Sequence, residues 1–167
     1  MSRDILQFDS ADICERLVGI TSTYLNNFLQ RGQFGLKASI QSGQVRAKHR
    51  RFSREDVFGI ALAWLLFEAG LRTDPIIRVL KEIAETKTAN ANAAAKKLLD
   101  LKADFLVICR LPRKPVKHAL EKPDQSVQFV QRSQLTELVQ KHLGEEILVI
   151  PVGAKFADIE NRVALLY

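Results

Sequence analysis

The chain has 167 residues, 47% of them hydrophobic and 26% charged, so it is long and apolar enough for one medium domain or two small ones with a packed core. Its formal net charge is +6, and residues 16–54 hold eight Lys or Arg residues and no Asp or Glu. The positive charge is therefore concentrated in one stretch, which favours a partner that carries phosphate groups.

Composition argues against several other classes of protein. The two cysteines, Cys14 and Cys109, form no CxxC pair. They predict neither a disulfide framework nor a metal site, and we interpret them as buried thiols. The N-terminus lacks the apolar core of a signal peptide, and the longest apolar run, residues 57–67, is too short to span a bilayer. We therefore expect a cytoplasmic protein that does not enter a membrane.

Two short helices are predicted near the N-terminus. The pattern indicates a first helix over residues 11–18 and a turn at residues 19–21. A second helix follows from residue 22 to about residue 30 or 31, and Gly32 ends it. Residue types that favour the N-cap position precede both helices, namely Asp9 or Ser10 and Thr21 or Ser22. Two short helices joined by a glycine-containing turn are typical of a helix-turn-helix.

A basic hairpin is predicted next. Two extended runs, residues 34–40 and residues 45–52, flank a Ser-Gly pair that is typical of a hairpin turn. Several bases lie on the second run, and we interpret the pair of strands as a wing. One of the two arginines Arg50 and Arg51 is expected to anchor the helix that follows.

Two further helices complete the N-terminal half. Ser53 begins a near-match to a capping box and opens an apolar helix that Gly70 ends. Residues 73–75 read Thr-Asp-Pro, which restarts a helix with proline near its first position. Residues 86–92 are small and polar and indicate a boundary, after which residues 93–101 have high helix propensity and predict a connecting helix.

The C-terminal part differs in its predicted secondary structure, because it contains apolar strands as well as helices. Three strand-like runs lie at residues 105–109, 126–130 and 147–150, and they are apolar enough to be buried on both faces. Ser133 is the predicted cap of a helix whose apolar face comprises Leu135, Leu138, Val139 and Leu143. A last helix carries a seam made of Phe156, Ile159, Val163 and Leu166. Folding of this seam onto the sheet is favoured over dimerisation.

These elements predict an α+β protein. Residues 1–86 form a winged helix-turn-helix, residues 87–102 a connecting helix, and residues 103–167 a small α/β module. A unit of that last size is marginal alone, so it is expected to dock on the N-terminal half or to pair with a second copy. Its role is interpreted as dimerisation, or as contact with an unknown effector or protein partner.

The order of elements and several short motifs resemble the DNA-binding domain of the MerR family. Residues 50–57 read Arg-Arg-Phe-Ser-Arg-Glu-Asp-Val, close to the family's Arg-Arg-Tyr-Ser-x-x-Asp-Val. Further positions in a similar register are residues 19–21 (Gly-Ile-Thr), Leu25, Phe28, Gly32 and residues 70–71 (Gly-Leu). The resemblance covers residues 6–85 and implies a winged helix-turn-helix that binds DNA.

The chain also departs from that family. Asn26 and Asn27 stand where the family usually has Arg and Tyr, and asparagine can read adenine in the major groove. The wing, residues 33–51, is longer than typical. The family's long dimerising helix and metal-sensing cysteines have no clear counterpart, so metal sensing and promoter untwisting are not implied.

Enzyme signals are poor. The three histidines, His49, His118 and His142, are scattered, and no HExxH motif, nucleophile elbow or Walker loop is present. We therefore expect no catalysis, no cofactor and no metal site.

The predicted function is sequence-specific DNA-binding transcriptional regulation of MerR-like type. The second helix enters the major groove, and the basic wing lies on the backbone or in a minor groove. Double-stranded DNA is the expected partner, and a homodimer is the expected assembly. The alternatives are an architectural, excisionase-like DNA-binding protein and a protein-interaction adaptor. The candidate DNA-binding residues are Thr21, Ser22, Thr23, Tyr24, Asn26, Asn27, Arg31, Lys37, Arg46, Lys48, His49, Arg50, Arg51 and Arg54.

Overall fold

The protein is described here by a computed structural model that covers residues 7–32, 34–36, 40–41, 50–110 and 125–166. Along these residues helices alternate with two small antiparallel sheets, so the predicted α+β class is confirmed. The first sheet has strand order β1-β3-β2, with β1 at Gln7–Phe8, β2 at Ile40–Gln41 and β3 at Arg50–Ser53. The second sheet has order β5-β4-β6, with β4 at Phe105–Arg110, β5 at Gln125–Val130 and β6 at Glu146–Ile150.

The first helical turn is wider than predicted. Asp12–Leu17 forms a π-helix rather than an α-helix, although Ile13 and Leu17 are fully buried as expected. The Asp9 carboxylate accepts a hydrogen bond from the backbone N–H of Asp12 at 2.9 Å, which confirms Asp9 as the capping residue. Helix α1 then runs from Ser22 to Arg31, as predicted.

Helix α2, Arg54–Glu68, is the centre of the core. It follows the predicted capping box, in which Ser53 Oγ accepts from the backbone N–H of Asp56 and the Asp56 carboxylate accepts from the backbone N–H of Ser53. Ten of its fifteen residues are buried, because helices pack on it from several sides. Each fully buried large aliphatic or aromatic side chain stabilises the fold by about 1.5–3 kcal/mol.

The predicted connecting helix is part of this core. Helix α4, Ala91–Asp100, packs against α2 and against α3, which spans Thr73–Ala84. Ala91, Ala94 and Ala95 are buried, and their small side chains suit close packing between helices. The small, polar stretch at residues 86–92 also contacts the N-terminal part, since the backbone N–H of Ala91 donates a hydrogen bond to the Phe34 carbonyl at 2.9 Å. The predicted domain boundaries themselves stay a prediction.

The second sheet is antiparallel, and only its central strand matches the expectation of burial on both faces. Residues 106–109 of β4 are all buried, whereas residues 147–149 of β6 are half-buried. Helix α5, Arg132–Lys141, begins after Gln131, so the predicted cap Ser133 lies inside the helix. Its predicted apolar face is poorly covered, because Leu143 is 79% exposed and no residue of α5 is fully buried.

Helix α6, Val152–Leu166, joins the two halves of the chain. Phe156, Ile159 and Val163 are buried, and Phe156 meets Phe58 of α2 edge-to-face at 5.2 Å between ring centroids. The helix contacts the π-helix, α2 and α4 as well as β4, so the seam packs on the N-terminal helices and not on the sheet alone. The Lys155 ammonium also donates to the Val18 carbonyl at 3.0 Å.

Candidate nucleic-acid interface

Helix α1 presents a polar, uncharged face to solvent. It begins after Thr21, whose Oγ1 accepts a hydrogen bond from the backbone N–H of Tyr24 at 3.4 Å. Leu25 and Phe28 are 2% and 7% exposed and fix the inner side. Because an α-helix has 3.6 residues per turn, the residues opposite them form one continuous outer stripe. Its exposed members among the predicted residues are Ser22, Thr23, Asn26 and Asn27.

The N-terminus of α1 is suited to an anion. Its first turn contains no acidic residue, and Thr21, Ser22 and Thr23 are exposed. The first backbone N–H groups of a helix carry partial positive charge and lack partners within the helix. A phosphate placed at this end would therefore be stabilised by N–H donors and by the helix dipole.

An aromatic cluster mounts α1 on α2. The Tyr24 ring lies 5.2 Å from the ring of Trp64 and 5.0 Å from that of Phe67, measured between centroids. Phe28 meets Phe34 edge-to-face at 4.8 Å. Tyr24 nevertheless stays 39% exposed, so it both packs and faces solvent, while Trp64 is only 8% exposed. The cluster packs the inner side of the helix against the core.

Arg50 of β3 contacts helix α1 directly. Its Nη1 donates a hydrogen bond to Oδ1 of Asn26 at 3.2 Å, although the two residues are 24 positions apart. Among the residues that the structure describes, Asn26 has no other side-chain hydrogen bond, which leaves both amide N–H donors and a second lone pair for another partner. Arg50 thus reaches the preceding helix, and the expectation that one arginine of the pair anchors the following helix stays a prediction for Arg51.

Arg51 has a different environment from Arg50. Side chains alternate between the two faces of a strand, and Phe52, the next residue, is fully buried against the core. Arg51 therefore lies on the opposite face from Phe52 and Arg50, and it is exposed. Between described residues, no ion pair joins Arg31, Arg50 or Arg51 to a carboxylate. These guanidinium groups keep their charge available to a phosphate.

Arg54 is held elsewhere. Its guanidinium forms an ion pair with Glu160 of α6 and lies over the Phe58 ring, 5.5 Å from the ring centroid. The structure thus brings Arg50 to the exposed face of α1 but ties Arg54 to the C-terminal helix. The predicted residues Lys37, Arg46, Lys48 and His49, and the turn of the predicted wing, lie outside the described residues.

One residue of the exposed face escaped the sequence prediction. Gln30 is exposed and stands one helical turn after Asn26, at the i+4 position. That spacing was the available signal, because Asn26 and Gln30 fall on one face of any helix that spans both. Its amide adds a second donor and acceptor pair of the kind that reads adenine.

The comparisons with known proteins assign the chain to no family. No protein-family model matches it, and no curated protein matches it either. Among the helices that the structure describes, none has both the length and the apolar character needed to cross a membrane. The functional assignment therefore depends on the geometry of the α1 face and the arginines beside it.

Proposed function

We propose that the protein is a sequence-specific DNA-binding transcriptional regulator of MerR-like type that acts in the cytoplasm. Helix α1 enters the major groove, and the strands β2 and β3 belong to a wing that grips the flanking backbone. The observation that carries the proposal is the hydrogen bond from Arg50 to Asn26, which couples a basic strand to an exposed, uncharged helix face.

The two kinds of residue have different tasks. Asn26, Asn27 and Gln30 offer amides that read base edges, and a good bidentate pair is worth about 1–3 kcal/mol of discrimination. Arg51 and the N-terminus of α1 bind phosphates, which supplies affinity without sequence information. Arg50 lies between the two groups and orients Asn26.

A homodimer is the assembly that this function favours. Twofold helix-turn-helix dimers bind two half-sites about one helical turn of DNA apart, so the bound sequence is palindromic. Residues 103–167 are proposed to serve dimerisation or contact with an effector or protein partner. The seam of α6 is not available for this task, because Phe156, Ile159 and Val163 are buried within the chain.

The test is selection of bound duplexes from a random library by the full-length protein, followed by salt titration of the best duplex. We expect one palindromic motif and a log affinity that falls linearly with log salt. Asn26→Ala should relax the selected sequence at one position and leave the salt slope unchanged. Arg51→Ala should weaken all duplexes alike and reduce the slope by about 0.9.

Arg78→Ala is the matched control, since it removes the same charge from an exposed residue of α3 that lies outside the proposed DNA face and outside residues 103–167. It should alter neither the selected motif nor the slope. Absence of duplex binding at low salt would overturn the proposal and favour the protein-interaction adaptor. Tight binding without any selected motif would instead favour the architectural, excisionase-like alternative.

A further inference from the structure

Three residues with metal-binding side chains meet at the second sheet. Cys109 comes from β4, His142 closes helix α5, and Glu145 lies in the turn that leads into β6. One ligand atom from each residue lies within 4.8 Å of the other two. Cys109 lies more than thirty positions before His142 and Glu145, so no short spacing motif in the sequence indicates the cluster.

Strand register places the cysteine on the outer face of the sheet. Leu106 and Ile108 of β4 point into the main core, so Cys109, which alternates with them, faces the other side. It is 2% exposed and pairs in register with Ser126 of β5. Burial raises the pKa of the Cys109 thiol, a hydrogen bond with Ser126 lowers it, and the charge of Glu145 raises it further.

The end of helix α5 brings the other two side chains together. The backbone N–H of Glu145 donates to the His142 carbonyl at 3.1 Å, and Gly144 between them has a φ of 97°, which suits glycine. His142 Nδ1 lies 2.9 Å from Glu145 Oε2, and His142 Nε2 lies 3.4 Å from the side-chain amide of Gln128. The imidazole is thus oriented from both nitrogens.

We propose that Cys109, His142 and Glu145 bind one divalent ion of the zinc type. Thiolate, imidazole and carboxylate form a borderline-soft donor set, and such a set binds Zn²⁺ in preference to Mg²⁺ or Ca²⁺. Bond lengths of about 2.0–2.3 Å in a tetrahedron place ligand atoms roughly 3.3–3.8 Å apart. The site is therefore completed when the widest separation shortens from its present limit of 4.8 Å and when His142 Nδ1 and Glu145 Oε2, now 2.9 Å apart, separate slightly. The fourth position is left to water.

The residues around the cluster and its exposure to solvent are compatible with this assignment. Nδ1 of His142, the nitrogen next to Glu145, is the one that binds the ion. Nε2 then carries a proton, which the side-chain oxygen of Gln128 accepts once that amide turns its oxygen toward the ring. Cys109 forms the floor of the site, while the side chains of His142 and Glu145 are 15% and 23% exposed and form its rim. An ion can therefore enter from solvent without opening the sheet.

The ion would fasten helix α5 to the sheet. No residue of α5 is fully buried, so apolar packing holds this helix weakly. A metal bond to His142 at its C-terminal end and to Cys109 on the central strand crosslinks the two elements. Binding to the folded state alone raises its stability, so the melting temperature should depend on Zn²⁺.

The test is titration of reduced, metal-free, untagged full-length protein with Co²⁺ and then Zn²⁺. We expect one equivalent of Co²⁺ to produce a thiolate-to-cobalt charge-transfer band in the near ultraviolet, and Zn²⁺ to remove the band and raise Tm. Cys109→Ser should abolish the band and the shift in Tm. Glu145→Gln should weaken Zn²⁺ affinity about 10–100-fold or more.

Cys14→Ser is the matched control, since it removes the other thiol and should leave the band unchanged. Absence of the band in the unaltered protein, or its survival in Cys109→Ser, would overturn the proposal. Unchanged Zn²⁺ affinity in Glu145→Gln would also overturn it. This substitution keeps the size of the side chain at a partly exposed position, so it is informative even if Cys109→Ser does not fold. None of these readouts involves DNA, so the result is independent of the proposed regulator function.

Discussion

The side-chain amide of Asn92 in α4 donates a hydrogen bond to Oδ1 of Asp56 in α2, at 2.7 Å. Asp56 is 4% exposed and already accepts from the backbone N–H and the hydroxyl of Ser53. One carboxylate therefore caps the central helix and also ties it to the helix that the sequence indicates as a connector. This explains why α4 packs in the core and does not extend from it.

Asp56→Ala should lower the free energy of unfolding by about 1–3 kcal/mol, because it removes part of the capping box and leaves donors of the half-buried residues Ser53 and Asn92 without that acceptor. Urea denaturation measures the change. Glu55→Ala is the control, since Glu55 is the exposed neighbour in the same first turn and should cost less than about 1 kcal/mol. Equal effects of the two substitutions would show that the Asp56 contacts add nothing to stability.

Two glycines after α1 allow a matched comparison of backbone strain and packing. Gly32 and Gly35 have φ values of 59° and 68°, but a Cβ at Gly32 would meet nothing within 4 Å. A Cβ at Gly35 would lie 2.3 Å from the Ala89 carbonyl oxygen, where the chain passes between α3 and α4. Gly32→Ala should cost about 1–2 kcal/mol for the left-handed backbone alone. Gly35→Ala should lower the free energy of unfolding by about 1–3 kcal/mol more than Gly32→Ala does, because the added methyl group overpacks the contact with Ala89. Thermal unfolding of both variants measures this difference, and a smaller difference would show that the loop moves away from the methyl group.

Local signals in the sequence predicted much of the N-terminal half correctly. The caps at Thr21 and Ser53 and the stop at Gly32 depend on neighbours three or four residues away, so the sequence alone is enough to place them. The exposed stripe of α1 follows from helical spacing in the same way.

Contacts between distant segments could not be predicted in this way. The burial of α4 requires Gly59 of α2, where a Cβ would lie 2.0 Å from Asn92 Oδ1, and nothing in residues 91–100 indicates that partner. The hydrogen bond from Arg50 to Asn26 depends on how β3 lies against α1. The approach of His142 to Cys109 depends on the register of β4 and the length of the α5–β6 turn. Tertiary packing decides all three.

Cys14 should react slowly with thiol reagents in the folded protein. Burial raises the pKa of its thiol above the ordinary value of 9.0, and the charge of Glu15 raises it further, so little thiolate is present at neutral pH. The pKa of the Cys14 thiol is higher in the folded state than in the unfolded state. Its contribution to stability is therefore fully present at pH values below the unfolded-state pKa, and it is lost as the pH rises through the folded-state pKa. Peptide mapping by mass spectrometry after alkylation at pH 7.5–9.5, roughly the range in which thiols ionise, measures the rate. A rate for Cys14 equal to that in urea-unfolded protein would contradict the expectation.

Tyr24 separates the mounting of α1 from its contact with a partner. Its ring packs on Trp64 and Phe67, so Tyr24→Ala should lower the free energy of unfolding by about 1–3 kcal/mol, less than for a fully buried aromatic because 39% of the residue is exposed. Tyr24→Phe keeps the ring and should change stability by less than about 0.5 kcal/mol. If the hydroxyl donates to a phosphate, Tyr24→Phe should still weaken duplex binding a few-fold, by the roughly 0.5–1.5 kcal/mol of one hydrogen bond.

Trp64 is the only tryptophan in the chain and lies in this aromatic cluster, so its fluorescence reports both unfolding in urea and changes at the inner side of α1. Unchanged unfolding of Tyr24→Ala would mean that the ring contacts with Trp64 and Phe67 do not hold the helix. If Tyr24→Phe binds the duplex with normal affinity, the Tyr24 hydroxyl makes no contact with DNA and Tyr24 serves packing alone. The base and phosphate contacts would then come from Asn26, Asn27, Gln30 and the arginines. The two substitutions therefore give opposite patterns for a supporting residue and a contacting one.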